Sequence, residues 1–426
     1  MVDMNGMISY IVGGYVRDFI MGFSSNDIDY VVIGETEESM IKRGFKKVGA
    51  DFAVFLHPKT GEEYALARTE KKEGVGYNGF STVTEGISLE EDLGRRDLTI
   101  NAIAMTDDGQ YIDPYDGLLD IKHKVLRHTT SAFSEDPVRV LRLARFTARF
   151  VDFVISEETK ILARSLKDEL RELTPERVFK ELEKALKSEK PSNYFRALFE
   201  LDALEIVHPE IFAMIGVPQR FDYHAEGDVF EHTMRVLDEM SSLTDNPVAR
   251  YAAIYHDIGK PITYKENGNF YGHGDIDVIF PAFNILKEKK HPNIYIKAAT
   301  MVAEWHTFVH GFSTMKTKTL VKKMTSKTFP KKIEDFEMLL MASGADEKGR
   351  ILGNRTLSFD ETEFIFNGGE IEGFRRRDFP SYENEMKIFE AISKKVHLPK
   401  EVIEGPVIEI KNYIYREKLR RAKKIL

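Results

Sequence analysis

The sequence predicts an α+β protein: a mixed α/β head followed by an all-α neck, body and tail. Three observations carry this. Short apolar runs alternate with Gly and Asp turns over the first part of the chain, as strands and their connections do. Beyond Ser134 the apolar positions fall at helical spacing, first at Val140, Leu141, Leu143, Ala144 and Ala148. The length, 426 residues, exceeds what one hydrophobic core organises, so about two to four domains are expected.

The elements follow in order. Ile8–Val12 reads as a strand, Gly13-Gly14 as a turn into a short helix, and Asp27-Ile28-Asp29 as the start of a second strand running through Tyr30–Ile33. Tyr64–Ala67 and Ile100–Met105 read as further strands. The glycine-rich, charged stretch Lys71–Phe80 reads as a mobile loop. In Leu173-Thr174-Pro175-Glu176-Arg177-Val178 a capping residue precedes a proline at the first helical position, which starts a helix. Helical patterning continues to the end, with breaks expected at Pro191, Pro209, Pro218, Pro261, Pro281 and Pro330. The expected domains are residues 1–130 (head), 131–205 (helical neck), 206–345 (helical body) and 346–426 (helical tail).

Composition narrows the function classes. Hydrophobic content of 42% and charged content of 31% are those of a globular protein. The chain has no cysteine, which excludes disulfides, thiolate zinc sites and cysteine nucleophiles. The start Met1–Tyr10 lacks the pattern of a signal peptide, and no apolar run approaches the roughly 18 residues of a membrane span. A cytoplasmic protein without a membrane partner is expected. Net charge is −8, which argues against indiscriminate nucleic-acid binding but leaves room for a local basic track such as Arg416–Lys424.

The head carries three clusters with chemistry in them. Asp27 and Asp29 stand two apart at a strand, where side chains share a face, so both aim at one spot. With Glu63 on a neighbouring strand they form a set of hard oxygen ligands suited to Mg²⁺. The glycines Gly13 and Gly14, with Arg17 behind them, let backbone N–H groups approach a phosphate chain. Carboxylates beside a phosphate cradle suggest two-metal nucleotidyl transfer. In the second cluster, Arg95-Arg96-Asp97-Leu98-Thr99-Ile100-Asn101, Arg96 suits phosphate while Asp97 and Asn101 suit a ribose hydroxyl; Arg68 is a further triphosphate candidate. The third is Ser134-Glu135-Asp136-Pro137-Val138-Arg139, followed by Arg142. Asp136 and Arg139 are i and i+3, side by side if helical. Asp accepts and Arg donates, which matches the polarity shared by cytosine and adenine and opposes that of guanine and uracil.

These motifs resemble the class II tRNA nucleotidyltransferases, the CCA-adding enzymes of the polymerase-β superfamily. The resemblance rests on Gly13-Gly14-x-x-Arg17-Asp18, Asp27-x-Asp29, Arg95-Arg96-Asp97-x-Thr99-x-Asn101-Ala102, Glu135-Asp136-x-x-Arg139, and Thr174-Pro175-Glu176-Arg177-Val178 with Glu181. It implies a polymerase-β-like head, Mg²⁺ at Asp27 and Asp29, and ribose recognition around Asp97. It also implies base selection by Asp136 and Arg139 from the neck, and a Lys71–Phe80 loop that helps the site change from C to A addition. The implied reaction is template-independent addition of C, C and A to the 3′ end of tRNA from CTP and ATP.

The body adds a second centre. His256-Asp257 lies in Ala253-Ile254-Tyr255-His256-Asp257-Ile258-Gly259-Lys260, with His224, His232, His273, His306 and Asp346 scattered around it. Imidazole and carboxylate together suit a divalent transition metal such as Ni²⁺ or Mn²⁺ better than Mg²⁺. This region resembles the HD phosphohydrolase domain fused to bacterial CCA-adding enzymes. That resemblance implies a metal site at His256, Asp257, His232 and His273, with phosphatase and 2′,3′-cyclic phosphodiesterase activity. Three alternatives stand beside the leading reading: a poly(A) polymerase or a CC- or A-adding enzyme of the same superfamily, an HD phosphohydrolase whose head only holds RNA, and a non-enzymatic RNA-binding protein. The oligomeric state is open between monomer and dimer.

Overall fold

The structure is a computed structural model and describes residues 4, 6–25, 27–48, 54–72, 80–403 and 406–426. The chain divides into two compact units: Met1–Glu181 with Asn193–Val207, and Leu182–Ser192 with His208–Leu426.

The first unit is built on strands β1 (Ile8–Val12), β2 (Asp29–Ile33), β3 (Lys46–Val48), β4 (Val54–Leu56) and β5 (Glu63–Leu66), a separate ribbon of β6 (Thr69–Lys72) and β7 (Phe80–Val83), and the short β8 (Ala104–Met105) and β9 (Tyr111–Ile112). Seven of them form one sheet in the order β3-β4-β5-β2-β1-β8-β9. β1 and β2 are antiparallel with Val12 opposite Asp29, and β2 runs parallel to β5 with Asp29 opposite Glu63. Helices α1 (Gly14–Ile20), α2 (Glu37–Lys42), α3 (Leu89–Gly94), α4 (Gly117–His123) and α5 (Val138–Arg149) complete what positions the site.

Both sheet faces are covered, and the strand alternation decides what faces where. Val32 packs with Met40 of α2, Phe45, Phe55, Tyr64 and Leu66. Its neighbour Val31 points the other way and packs with Val12, Ala67, Leu93 of α3, Ala102 and Ala104. Asp29 shares the face of Val31, so the strand pleat aims it to the side on which α3 lies. Capping boxes start α2 (Thr36 with Ser39) and α3 (Ser88 with Glu91), satisfying the first free N–H groups of each helix.

Three local expectations are corrected. Ile100–Met105 is not one strand: Thr99–Asn101 forms a 3₁₀ turn and only Ala104–Met105 is extended. Thr99 donates to Asp120 (2.7 Å) and Asn101 to Asp97 (2.8 Å), and these side-chain bonds hold the turn. Asp27 precedes β2, whose first residue is Asp29. Pro281 lies inside the helix Ile276–Glu288 and does not end it.

The second unit is helical. Val229–Leu243, Pro247–Ile254, Asn293–His310 and Ile333–Lys348 pack on one another, with Val236, Met240, Ala249, Ala253 and Ala345 among their core. The last long helix, Val407–Lys423, packs on Thr317–Met324 and Glu383–Ser393. No helix among the described residues is long and apolar enough to cross a membrane.

Candidate functional site

In the head, the β1–α1 turn, the start of β2 and the residues after α3 meet at one point. Gly13 has φ +76, and a Cβ there would stand 3.0 Å from Arg96 Nη1 and 3.9 Å from Asp29 Oδ2. The glycine is thus required twice, by backbone conformation and by the approach of an arginine and a carboxylate. Asp29 and Glu63 are neighbours across β2 and β5. Burial pushes the Asp29 carboxyl up to about 6, the charges of Asp27 and Glu63 push in the same direction, and Arg96 opposes them. Three acidic groups therefore crowd one another with a single arginine counted against them, a charge imbalance that a cation relieves. Glu62 alternates away from Glu63 and is held by Thr60 (2.7 Å).

Behind this cluster lies a framework of buried charge. Asp92 of α3 is fully buried; it accepts from Arg95 (3.0 and 2.8 Å), Arg96 (3.1 Å) and the Arg68 backbone N–H (3.2 Å). Burial alone would raise its carboxyl, but Arg96 and Arg95 hold it below the usual range. Arg17 is buried as well: it donates to Asp18 (2.9 and 2.7 Å) and to Asn101 (2.5 Å), and lies over the Phe146 and Phe150 rings. Its guanidinium is engaged inside the protein, not offered to a phosphate. Asn101 donates to Asp97, and Asp97 also accepts from the Leu98 N–H (3.0 Å) and from Arg142 Nε (2.8 Å). The result is one chain of bonds from α1 through the Asp97 turn to α5.

Asp136 is not on the helix with Arg139. Its backbone is extended, Pro137 intervenes, and α5 begins at Val138. The Asp136 carboxylate accepts from the Val138 N–H (3.1 Å) and from Arg177 (2.6 Å), which comes from the helix Pro175–Leu186. Arg139 Nη1 donates to the Ala132 carbonyl (2.6 Å). The middle of the expected switching loop, residues 73–79, lies outside the described residues.

In the second unit four imidazoles converge on Asp257. His256 Nε2 is 3.0 Å and His232 Nε2 3.9 Å from Oδ2; His273 Nε2 is 3.2 Å and His306 Nε2 3.5 Å from Oδ1. Each ring is oriented through its other nitrogen. His256 Nδ1 donates to the Ala253 carbonyl (2.8 Å), His273 Nδ1 to that of Phe270 (2.7 Å), and His306 Nδ1 to those of Val302 and Ala303 (3.1 and 3.2 Å). His232 Nδ1 meets Glu226 (2.8 Å), whose other oxygen accepts from the Ile351 N–H (2.9 Å). This turns Nε2 of His256, His273 and His306 toward Asp257, the arrangement of imidazoles that ligate metal, while His232 Nε2 lies nearer Asp346 Oδ1 than Asp257. His256 Nε2 and both Asp257 oxygens are buried without a hydrogen-bond partner, although Lys260 Nζ approaches Oδ2 to 2.6 Å. Gly259 makes the packing possible: a Cβ there would lie 1.9 Å from the His273 carbonyl oxygen. Asp346 sits against His232 (3.0 Å), His310 (2.6 Å) and Arg350 (2.7 Å).

Residues 9–127 match the Poly A polymerase head domain, 152–215 the "probable RNA and SrmB-binding site of polymerase A", and 229–333 the HD domain. The multifunctional CCA protein of Mannheimia succiniciproducens is 46% identical over 355 residues, 81% of this chain and 84% of that protein. The protein of the same name from Psychromonas ingrahamii is 43% identical over 85% of this chain and 90% of its own length. The chain belongs to the multifunctional CCA protein family. Among solved structures, the Bacillus stearothermophilus CCA-adding enzyme in complex with CTP shares the fold (TM-score 0.58, 19% identity, 99% of this chain and 96% of that one). So does the Thermotoga maritima CCA-adding enzyme complexed with tRNA (TM-score 0.54, 21% identity, 97% and 91%).

The chain is accordingly a nucleotidyltransferase with a fused HD domain, as its motifs imply. The structure brings together Asp29, Glu63, Gly13 and Arg96, with Asp27 in electrostatic contact, and separately His232, His256, Asp257 and His273. It adds residues the motifs do not single out, Asp92, Arg149 (which donates to Asp18, 2.7 Å), Glu226 and Lys260, and gives Arg177 of the neck motif a partner in Asp136. Asp92 stands in an acidic first helical turn, Glu90-Glu91-Asp92, and nothing in the spacing separates it from its exposed neighbour Glu91. His306, by contrast, is buried next to Trp305 on a helix whose polar positions Lys297, Thr300, Glu304 and Thr307 line the opposite face, so a histidine off that face stands out.

Proposed function

We propose that this protein adds C, C and A to the 3′ end of tRNA from CTP and ATP, with the head as catalytic centre. The observation that carries it is the pairing of Asp29 with Glu63 across β2 and β5, beside a glycine turn that admits Arg96. Asp27, Asp29 and Glu63 supply only oxygen, and the raised Asp29 carboxyl marks a site short of positive charge; both fit Mg²⁺. When bound, that cation makes the attacking hydroxyl more acidic and neutralises the departing pyrophosphate. The tRNA 3′-oxygen bonds to the α-phosphorus as the α–β bridging P–O bond breaks, and the hydroxyl proton leaves to solvent. Arg96, held by Asp92, and the backbone at Gly13-Gly14 receive the triphosphate. Arg17 positions Asn101, and Asn101 with Arg142 positions Asp97 for the ribose. Asp136 and Arg139, with Arg177 beside them, present the acceptor and donors that suit C and A. The membership in a family with RNA-binding and HD segments, and a neighbour solved with tRNA, support tRNA as partner.

The HD centre is read as a metal-dependent phosphohydrolase. Four oriented imidazoles and the buried Asp257 fit a transition metal, which when bound lowers the pKa of a water. Opening a 2′,3′-cyclic phosphate forms a water-oxygen–phosphorus bond, breaks one ring P–O bond, and returns the proton to the freed hydroxyl.

The test is a gel assay with a tRNA transcript lacking its 3′ end, Mg²⁺, and CTP and ATP singly and together. Three added nucleotides, requiring both triphosphates, support the reading. A long ladder from ATP alone makes the protein a poly(A) polymerase. A single A added only to a transcript ending in CC makes it an A-adding enzyme. His256→Ala should abolish 2′,3′-cyclic phosphodiesterase activity and leave CTP incorporation intact; loss of both or of neither refutes the assignment of two separate centres.

A further inference from the structure

Asp18 is buried and takes two arginines, one on each oxygen. Arg17 donates to Oδ1 from Nε (2.9 Å) and Nη2 (2.7 Å), and Arg149 donates to Oδ2 (2.7 Å). Arg149 is the last residue of α5, so its bond closes a circuit. From Arg142 of α5 the hydrogen bonds run to Asp97 (2.8 Å), Asn101 (2.8 Å), Arg17 (2.5 Å) and Asp18, and return to α5 at Arg149. Residues 142 and 149 are about two helical turns apart and share one face of α5.

The inside of the circuit is filled. The Phe146 and Phe150 rings stack 5.8 Å apart between its two ends. The Arg17 guanidinium lies 5.3 and 5.1 Å from their centroids, and that of Arg149 lies 5.2 Å from Phe150. Cations over aromatic faces add to the hold of the charge-assisted bonds. Helix α5 therefore cannot turn or slide against α1 without breaking them.

The circuit joins the three parts that receive one nucleotide. Helix α1 opens at the Gly13 turn, beside Asp29 and Arg96 on the triphosphate side. Asp97 serves the ribose. Arg139, one turn before Arg142 on α5, serves the base. Rejection by donor and acceptor polarity works only when the groups are held in place, because a helix free to turn can move Arg139 away from a mismatched base and remove the penalty.

We propose that Asp18 is a positioning residue for nucleotide choice: by joining Arg17 to Arg149 it fixes α5 against α1, and with it Asp97 and Arg139 relative to the triphosphate. The inference rests on the base- and ribose-selection reading and assigns what keeps that selection rigid. Asp18 acts through other residues, since both of its oxygens are engaged inside the protein.

The experiment measures kcat/KM for single-nucleotide extension of a tRNA transcript lacking its 3′ end, with CTP, UTP and dCTP in turn, on the full-length protein with Mg²⁺. Asp18→Asn keeps the shape but turns a donor toward one of the two guanidiniums. Its preferences for CTP over UTP and over dCTP should fall roughly 10- to 150-fold, the effect of one charge-assisted hydrogen bond. Arg149, 39% exposed, forms the weaker link, so Arg149→Ala should lower both preferences by roughly 2- to 5-fold, and Arg149→Lys should restore them. The double variant should lose no more than Asp18→Asn alone, because both changes open the same circuit. Thermal unfolding identifies a variant that does not fold; if Asp18→Asn is one, Arg149→Ala and its lysine rescue decide the matter. Wild-type preferences in the folded variants, or an equal loss with every triphosphate, overturn the proposal. A wild type that uses UTP and dCTP as readily as CTP refutes the selection reading instead.

Discussion

Replacing Gly13 by alanine tests the head more sharply than removing a carboxylate. The residue sits at φ 76, ψ −136, a conformation that side chains of L-residues avoid. Holding a non-glycine residue there costs about 1–3 kcal/mol. The added methyl carbon would also stand 3.0 Å from Arg96 Nη1, tighter than ordinary contact, so Arg96 must yield. For a unit of this size each kcal/mol moves the unfolding midpoint by about 2–4 °C, giving a loss of roughly 2–12 °C. A hydrogen bond to a charged group contributes about 1.5–3 kcal/mol, so displacing Arg96 from the triphosphate should lower kcat/KM for CTP by roughly 10- to 150-fold. Gly14→Ala is the control. Gly14 is the first residue of α1, and its Cβ would make only an ordinary 3.6 Å contact with Arg17. That variant should keep its stability or gain about 0.4–1 kcal/mol from the stiffer unfolded chain. Thermal unfolding of both variants, followed by incorporation of radiolabelled CTP, decides the matter. A Gly13→Ala protein as stable and active as wild type refutes the geometry, as does a Gly14→Ala protein destabilised to the same degree.

Three further outcomes follow from the same contacts. Asp29→Asn should abolish incorporation while raising stability at pH 7 in EDTA: the folded carboxyl titrates near 6, above its usual value, so wild-type stability falls as pH rises from about 4 to about 6 and stays low above it. The shift corresponds to about 3 kcal/mol, reduced by solvent screening to the order of 1, and unfolding curves from pH 4 to 8 should show the slope vanish in the variant. Asp92→Asn should cost about 3 kcal/mol by leaving Arg95 and Arg96 against a neutral buried group, and should raise KM for CTP; urea unfolding and steady-state kinetics that match wild type would remove Asp92 from the framework. Arg139→Ala should slow CTP and ATP use and relax rejection of UTP and GTP, read by single-nucleotide extension with each triphosphate; unchanged choice takes Arg139 out of base selection.

What was legible in the sequence was local. The Gly13 turn, the strand entered at Asp29 and the helix starting at Pro175 each depend on residues a few positions apart, so spacing alone announces them. What was not legible depended on partners far along the chain. The Ile100–Met105 run has the composition of a strand, and only the pull of Asp120 and Asp97 on Thr99 and Asn101 turns it into a 3₁₀ bend. Arg17 looks like a phosphate ligand beside its glycines until Asn101, distant in sequence, and the Phe146 and Phe150 rings enclose it. Asp136 and Arg139 have helical spacing, yet Pro137 delays the helix and the acid caps its first N–H group instead. The HD dyad was visible as a dyad. His232 and His273 were expected beside it; the close passage of the His273 carbonyl at Gly259 that seats the loop is the part no periodicity encodes.

The two centres of this chain handle charge in opposite ways, and this explains why their metal preferences should differ. In the head, acidic side chains face one another with oxygen donors only, and the mutual repulsion appears as a raised Asp29 carboxyl. A small hard cation answers that need without demanding nitrogen ligands. In the HD centre the carboxylate is outnumbered. Burial would raise Asp257, but His256 and Lys260 hold it well below the usual range, and burial keeps His306 down to about 4, neutral and able to ligate. A cation entering there gains little from carboxylate charge and much from imidazole nitrogen, and it must compete with Lys260 for Oδ2. Only an ion with real affinity for nitrogen wins that competition, so Mg²⁺ at the concentration that serves the head should leave the HD centre to a softer metal.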